Sequence, residues 1–247
     1  MRKDKSKNNR YNKLTNLGGN RQKFTNIKTA KGRKISSTQW LQRQLNDPYV
    51  KMAKQEGFRS RAAFKLLEIN EKFSLIKPKD MVIDLGAAPG GWSQIAVDLT
   101  KSSAAKPTVI GIDLLEIEPI SGAHFMQADF TEEEAENTLN QYLTSHNETN
   151  KVNVVLSDMA ASATGHSTTD HIKIIYLCEI AFDFAKNNLL PNGNFVAKIL
   201  QGGTEQTLLQ EMKKYFKNVK HYKPAASRSD SAEMYVIATG FKDLKIS

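Results

Sequence analysis

The hydrophobic pattern alternates, from residue 81 onwards, between short apolar runs and longer stretches with helical periodicity. Several of the short runs are continuously apolar, which is typical of strands covered on both faces of a sheet. Strands are predicted at residues 81–85, 109–114, 124–128, 152–157, 194–200, 219–222 and 234–240.

Helical patterns fill the intervals between these runs and also precede the first one. Asp47-Pro48 is typical of a helix start and Gly57 of a helix end, and Ser60 is a candidate N-cap for a helix that reaches about Phe73. The remaining helices are predicted at residues 37–45, 92–99, 132–143, 168–188 and 204–216.

This alternation predicts an α/β fold with a doubly wound, mostly parallel sheet of seven strands. The connection between residues 222 and 234 is too short to hold a crossover helix together with a turn on each side of it. We therefore expect an antiparallel last strand, which a plain dinucleotide-binding fold does not require.

Charge divides the chain of 247 residues into two parts. Residues 1–34 hold twelve Lys/Arg and one acid, a net charge of +11, whereas the remainder holds 23 basic and 25 acidic residues, a net charge of −2. Residues 1–35 are predicted to form a disordered basic tail and residues 36–247 one domain. The tail is either a solubilising extension or an arm that follows nucleic-acid phosphates.

Composition excludes several other classes of protein. No apolar run approaches the roughly 20 residues that a membrane span needs. The single cysteine, Cys178, excludes an internal disulfide and favours a reducing compartment, and the histidines lack zinc-ligand spacing. We expect a cytoplasmic monomer that binds neither a membrane nor a metal.

A glycine-rich loop, residues 86–91, follows the first strand and opens a helix, where open α/β sheets bind their ligands. Pro89 removes a backbone donor that a pyrophosphate would need, so a cofactor without phosphates, such as S-adenosylmethionine, fits better. Asp113 and Asp129 follow the next two strands and either accept hydrogen bonds from the cofactor or cap the strands. Trp92 either packs on the cofactor or lies in the core.

Seven motifs occur in one order between about Ser36 and Phe241, and with them the chain resembles the FtsJ/RrmJ (RlmE) ribosomal RNA 2′-O-methyltransferases. The motifs are GFRSRAAFKL at 57–66, DLGAAPGGWS at 84–93, DLL at 113–115, ADF at 128–130, SDMA at 157–160, VAK at 196–198 and SAEMYV at 231–236. The family usually has proline after the SDMA motif, where this chain has Ala161, so the shape of that loop does not follow from the resemblance.

The resemblance implies a Rossmann-like fold that transfers methyl from S-adenosylmethionine to the 2′-hydroxyl of a uridine. The substrate it implies is 23S rRNA within the large ribosomal subunit, and residues 36–247 become the methyltransferase domain. The implied catalytic set is Lys65, Asp158, Lys198 and Glu233. The implied cofactor contacts are Gly86, Gly90, Trp92, Asp113, Asp129 and Asp158.

Chemistry gives the two lysines unequal roles. Only a neutral amine can remove a proton from a ribose hydroxyl. We expect Lys198 to be the base, because it follows a central strand, and the charge of Lys65 to favour its neutral form. Asp158 and Glu233 would orient the amines. Without the resemblance, these residues could equally form two ordinary surface ion pairs.

Other chemistries fit the motifs less well. The run after the fourth strand, 158–161, lacks the Pro-Pro-aromatic pattern of exocyclic amine methylation, and Cys178 lies on an apolar helical stretch, unlike a cytosine C5 nucleophile. Two alternatives remain open: a tRNA or cap 2′-O-methyltransferase, and a non-catalytic RNA-binding ribosome assembly factor. Candidate RNA contacts, each equally interpretable as a solvated charge, are Lys51, Lys54, Arg59, Arg61 and Arg228.

Overall fold

The computed structural model describes residues 25–27, 35–146, 149–161, 164–202 and 206–242. Most of the predicted tail therefore lies outside the described residues. The helices are α1 (Ile35–Asn46), α2 (Pro48–Glu56), α3 (Ala62–Phe73), α4 (Gly91–Thr100), α5 (Glu133–His146), α6 (Ser167–Asn188) and α7 (Gln206–Tyr215). The strands are β1 (Val82–Leu85), β2 (Val109–Asp113), β3 (Ala123–Gln127), β4 (Val152–Ser157), β5 (Leu189–Leu200), β6 (Phe216–Tyr222) and β7 (Glu233–Phe241).

The strands form one seven-stranded sheet in the order β3-β2-β1-β4-β5-β7-β6. β1 to β5 are parallel to one another, and β7 is inserted antiparallel between β5 and β6. The predicted mostly parallel sheet with an antiparallel last strand is thus confirmed. This insertion brings the start of β7 to the carboxyl end of β5, because Glu233 pairs with Leu200 and Tyr235 with Lys198.

Apolar side chains cover both faces of the sheet, as the continuous hydrophobic runs predict. On β1, Ile83 and Leu85 belong to a core that includes residues of α5, α6 and α7. Val82 belongs to the opposite core, which includes residues of α2, α3 and α4. The sheet is therefore a rigid central layer whose carboxyl edge can hold side chains in fixed positions.

Several predicted boundaries are wrong: β6 begins at Phe216 rather than at 219 and α5 ends at His146 rather than at 143, and two further differences have a clear physical cause. β5 begins at Leu189 rather than at 194, because Leu189 pairs with Val152 across a register shift that the Pro191–Gly193 stretch concealed. Ser60 does not cap α3: the preceding residue is Arg61, which makes no side-chain cap, and the Ser60 hydroxyl is buried without a partner among the described residues.

The predicted limits of α2 are confirmed by its cap contacts. The Asp47 side chain accepts a hydrogen bond from the Tyr49 backbone N–H, and Pro48 occupies the first helical position. Gly57 ends the helix in the left-handed conformation at φ 75°, where a residue without Cβ avoids strain.

None of the described helices is long and apolar enough to cross a membrane. Across the same residues, His, Cys, Asp and Glu side chains form no group of three that could hold a metal ion.

Asp84 is a fully buried carboxyl group within β1. Its Oδ2 accepts a 2.6 Å hydrogen bond from the Ser93 hydroxyl of α4, which ties the strand to the helix that follows the glycine-rich loop. Its Oδ1 has no partner among the described residues. Burial, reinforced by the charges of Asp158 and Asp113 and opposed by the Ser93 hydrogen bond, raises the pKa of Asp84 to about 7.

We expect the Asp84→Asn variant to gain stability relative to the parent protein as pH rises from about 4 to 7. A raised carboxyl pKa means that the folded state holds the proton more tightly than the unfolded state, so the parent loses stability across this window. The rise of the Asp84 pKa from its ordinary value to about 7 corresponds to roughly 4 kcal/mol of unfolding free energy, the upper limit of the change. Urea unfolding of both proteins at several pH values measures it, and parallel pH profiles would contradict the buried-acid account.

Candidate active site

Two ion pairs meet at the carboxyl edge of the sheet. Lys198 of β5 places Nζ 2.7 Å from Asp158 Oδ1 and also donates a 2.8 Å hydrogen bond to the Asp158 backbone carbonyl. Lys65 of α3 places Nζ 2.6 Å from Glu233 Oε1. All four side chains are less than one-fifth exposed. The structure therefore brings together the four residues that the sequence singles out.

Tyr235 joins the two ion pairs and was missed by the sequence analysis. Its hydroxyl donates a 2.8 Å hydrogen bond to Asp158 Oδ1 and accepts one of 3.2 Å from Lys65 Nζ. Burial and the charges of Asp158 and Glu233 raise its pKa well above the ordinary tyrosine value, so the phenol keeps its proton. Tyr235 lies two residues after Glu233 on a strand, so both side chains lie on one face of the sheet. This spacing is the sequence signal from which the role of Tyr235 could have been predicted.

Asp158 is the carboxylate on which both lysines act. Burial alone would raise its pKa, but the charges of Lys198 and Lys65 and the hydrogen bonds from Lys198 and Tyr235 outweigh burial and hold the pKa below the usual aspartate value. The carboxylate consequently stays ionised at neutral pH, and it fixes the amine of Lys198 at the end of β5.

Glu233 is held by a segment between β6 and β7. The Ser227 hydroxyl donates a 3.0 Å hydrogen bond to Glu233 Oε1. The adjacent Ala226 N–H donates to the buried Glu68 carboxylate at 3.0 Å, and Arg61 donates to the Ala226 carbonyl. Contacts from α3 and from the residue before it thus fix the loop that positions the second ion pair.

The candidate RNA contacts are engaged with the protein to different extents. Arg61 also pairs with Asp47, and Arg228 Nε lies 3.5 Å from the same carboxylate. Arg59 donates to three backbone carbonyls, those of Pro89, Glu118 and Pro119, and so braces the glycine-rich loop. Lys51 and Lys54 lie on α2. The sequence does not reveal the internal contacts of the three arginines, because each contact joins segments that are distant along the chain.

A cavity of about 210 Å³ lies at the carboxyl ends of β1, β2 and β3. Its lining residues combine apolar walls with two carboxylates: Gly86, Ile112, Asp113, Leu114, Ala128, Asp129, Phe130, Thr131, Met159, Ala160, Ala161 and Leu177. An apolar slot with acceptor groups at its rim suits an adenosine, whose ring needs flat apolar walls and whose hydroxyl and amino groups donate.

The two acids are preorganised by backbone contacts. Asp113 accepts from the Ala88 N–H of the glycine-rich loop and from the Leu115 N–H, both at 2.9 Å. Asp129 accepts from the hydroxyl and the N–H of Thr131, and these hydrogen bonds lower its pKa. A carboxylate has about four lone-pair positions, so both can accept further hydrogen bonds from a ligand.

The remaining predicted cofactor residues differ in their positions. A Cβ at Gly86 would lie 2.7 Å from the Met159 backbone nitrogen, so glycine is required beside the cavity. Gly90 lies beneath the Arg59 side chain, and a Cβ there would approach it to 3.0 Å. Trp92 is buried, donates to the Ala62 carbonyl and packs on Tyr235, so it supports the ion pairs from the core. None of Gly90, Trp92 and Asp158 lines the cavity.

Comparison with known proteins gives consistent results. The model of the FtsJ-like methyltransferase family matches residues 58–241. Proteins named ribosomal RNA large subunit methyltransferase E are 54% identical in Rickettsia akari, covering 92% of this chain and 99% of the relative, and 54% identical in Paramagnetospirillum magneticum, covering 91% of each. A solved structure from Plasmodium falciparum, titled as a ribosomal RNA methyltransferase, superposes with a TM-score of 0.65 at 26% identity, over 74% of this chain and 98% of that one.

We expect Tyr235→Phe to destabilise the protein by about 1–2 kcal/mol, because it leaves Asp158 and Lys65 with one hydrogen bond fewer in a buried setting. Tyr222→Phe is the matched control, since the Tyr222 hydroxyl has no hydrogen bond to the part of the chain that the structure describes. Urea unfolding at neutral pH measures both changes. Equal, small effects of the two substitutions would show that the phenol does not link the ion pairs.

Proposed function

Because the chain belongs to the FtsJ-like methyltransferase family, we propose that it methylates the ribose 2′-hydroxyl of a uridine in 23S rRNA of the large ribosomal subunit. The observation that supports this most directly is that the two lysine–carboxylate contacts and the cavity of about 210 Å³ lie at the same edge of the sheet. The names of the relatives favour large-subunit rRNA over tRNA or a cap.

We propose S-adenosylmethionine as the cofactor, with its adenosine in this cavity. When bound, it would supply an electrophilic methyl group. Asp113 would accept from its ribose hydroxyls and Asp129 from its adenine amino group. Gly86 would allow the backbone to approach the ligand closely. These residues bind and orient the cofactor, and the ion pairs act on the acceptor hydroxyl.

Lys198, which pairs with Asp158 as an ammonium, would first lose a proton to solvent and would then remove the hydroxyl proton as a neutral amine. Two oxygens of Asp158 hold its Nζ, which limits the directions in which the lone pair can point. Lys65, held by Glu233 and Tyr235, would donate a hydrogen bond to the acceptor oxygen. Fixing both amines before the reaction lowers the entropic cost of aligning the hydroxyl.

The proposed substrate and reaction lead to expectations about the protein's location, its partner and its basic tail. A reaction on a ribosomal subunit would place the protein in the cytoplasm, and the proposed partner is rRNA. The basic tail, residues 1–35, would then follow rRNA phosphates. A non-catalytic assembly factor would not need both amines to be held in this way.

Methyl transfer from labelled S-adenosylmethionine to undermethylated large subunits, free rRNA and tRNA, assayed in parallel, tests the substrate. We expect label in the large subunits, recovered in alkali-resistant dinucleotides because a methylated 2′-oxygen cannot attack the neighbouring phosphodiester. Label only in tRNA, or only in alkali-released mononucleotides, would overturn the proposal. Absence of label in all three would favour the assembly-factor alternative.

We expect Lys198→Ala to slow single-turnover methylation by at least about 10²-fold, the usual contribution of a general base. Cofactor binding should be nearly unchanged, because Lys198 does not line the cavity. Lys213→Ala is a matched control, since Lys213 is exposed on α7 near the opposite edge of the sheet. Normal single-turnover methylation by Lys198→Ala would exclude it as the base.

A further inference from the structure

A second cavity, of about 370 Å³, adjoins the ion pairs on the side facing α1. Its volume falls within the range of sites that hold small ligands. It is lined by Arg43, Gln44, Arg61, Lys65, Arg228, Asp230, Ser231 and Glu233. Lys65 and Glu233 belong to the candidate active site, so a group in this cavity would lie directly beside the acceptor hydroxyl.

The lining of this cavity is cationic. Four basic side chains and two carboxylates, those of Asp230 and Glu233, line the cavity. The Asp47 carboxylate pairs with two of the four cations, so a formal excess of one positive charge remains. Lys65 and Arg61 are committed to ion pairs with Glu233 and Asp47 respectively. Arg43 is exposed and makes no ion pair with the described part of the chain, so its guanidinium is available to a ligand.

We propose that this cavity binds the phosphate on the 3′ side of the acceptor ribose, with Arg43 and Arg228 as its principal contacts. On a ribose, the 2′-hydroxyl and the 3′-phosphate occupy neighbouring carbons, so a hydroxyl held at Lys65 brings the phosphate beside it. Guanidinium groups bind phosphate oxygens in a bidentate manner. The proposal rests on the ribose-methylating function given above and assigns Arg43 a contact within it.

The internal contacts of the site explain why Arg228 is preorganised. Asp47 Oδ2 lies 3.5 Å from Arg228 Nε and also pairs with Arg61. One carboxylate therefore orients two guanidinium groups along the cavity wall. Asp230 is exposed on the same loop, and its charge would repel a phosphate.

Because Arg43 and Asp230 carry opposite charges, their substitutions should change KM for the RNA substrate in opposite directions. Arg43→Ala should raise KM for undermethylated large subunits about tenfold at moderate salt. It should also reduce the slope of log KM against log salt concentration by about 0.7–0.9, the contribution of one phosphate contact. Asp230→Asn should lower KM. Arg43→Lys should keep the salt slope and recover only part of the affinity, because lysine lacks the bidentate fork.

Lys213→Ala removes the same charge far from the cavity and should leave KM and salt slope unchanged. α7 leads into Phe216, which pairs with Phe241 at the other end of β7 from Glu233. Equal KM values and salt slopes for Arg43→Ala and Lys213→Ala, or a higher KM for Asp230→Asn, would overturn the phosphate site. A parent protein that transfers no label to large subunits would instead refute the proposed function.

Discussion

The ionised carboxylate of Asp158 is the constraint on which the candidate active site depends. It is held between the ammonium of Lys198 and the hydroxyl of Tyr235, and Tyr235 in turn accepts from Lys65. Removing one partner of such a buried group leaves an uncompensated charge, which costs far more than an exposed ion pair contributes. The contacts join the residue that follows β4 with β5, β7 and α3, so the site forms only when these elements are correctly packed.

The antiparallel insertion of β7 has a direct consequence for this site. Because Tyr235 pairs with Lys198 and Glu233 with Leu200, the start of β7 delivers a phenol and a carboxylate to the carboxyl end of β5. A parallel strand at this position would present its amino end at the opposite edge of the sheet. The feature that separates this fold from a plain dinucleotide-binding sheet is therefore also the feature that completes the pair of lysine–carboxylate contacts.

Much of this architecture follows from the sequence pattern, because the succession of strands and helices along the chain and the buried runs reflect local periodicity. The positions of Asp113 and Asp129 at strand ends follow for the same reason. Tyr235 was missed because its function depends on a tertiary contact with Asp158, and apolar strand patterns make a tyrosine look like ordinary core. The internal bonds of Arg59 were hidden likewise, since its carbonyl partners at Glu118 and Pro119 lie about sixty residues away.

A double-mutant cycle on Lys65 and Lys198 tests most directly whether the two ion pairs act as one unit. Single-turnover methylation rates would be measured for Lys65→Ala, Lys198→Ala and the double variant at saturating cofactor. The linkage through Tyr235 predicts non-additive effects, with the double variant about as slow as the slower single variant. Losses that add in the logarithm of the rate would show that the two lysines act independently and would contradict the account.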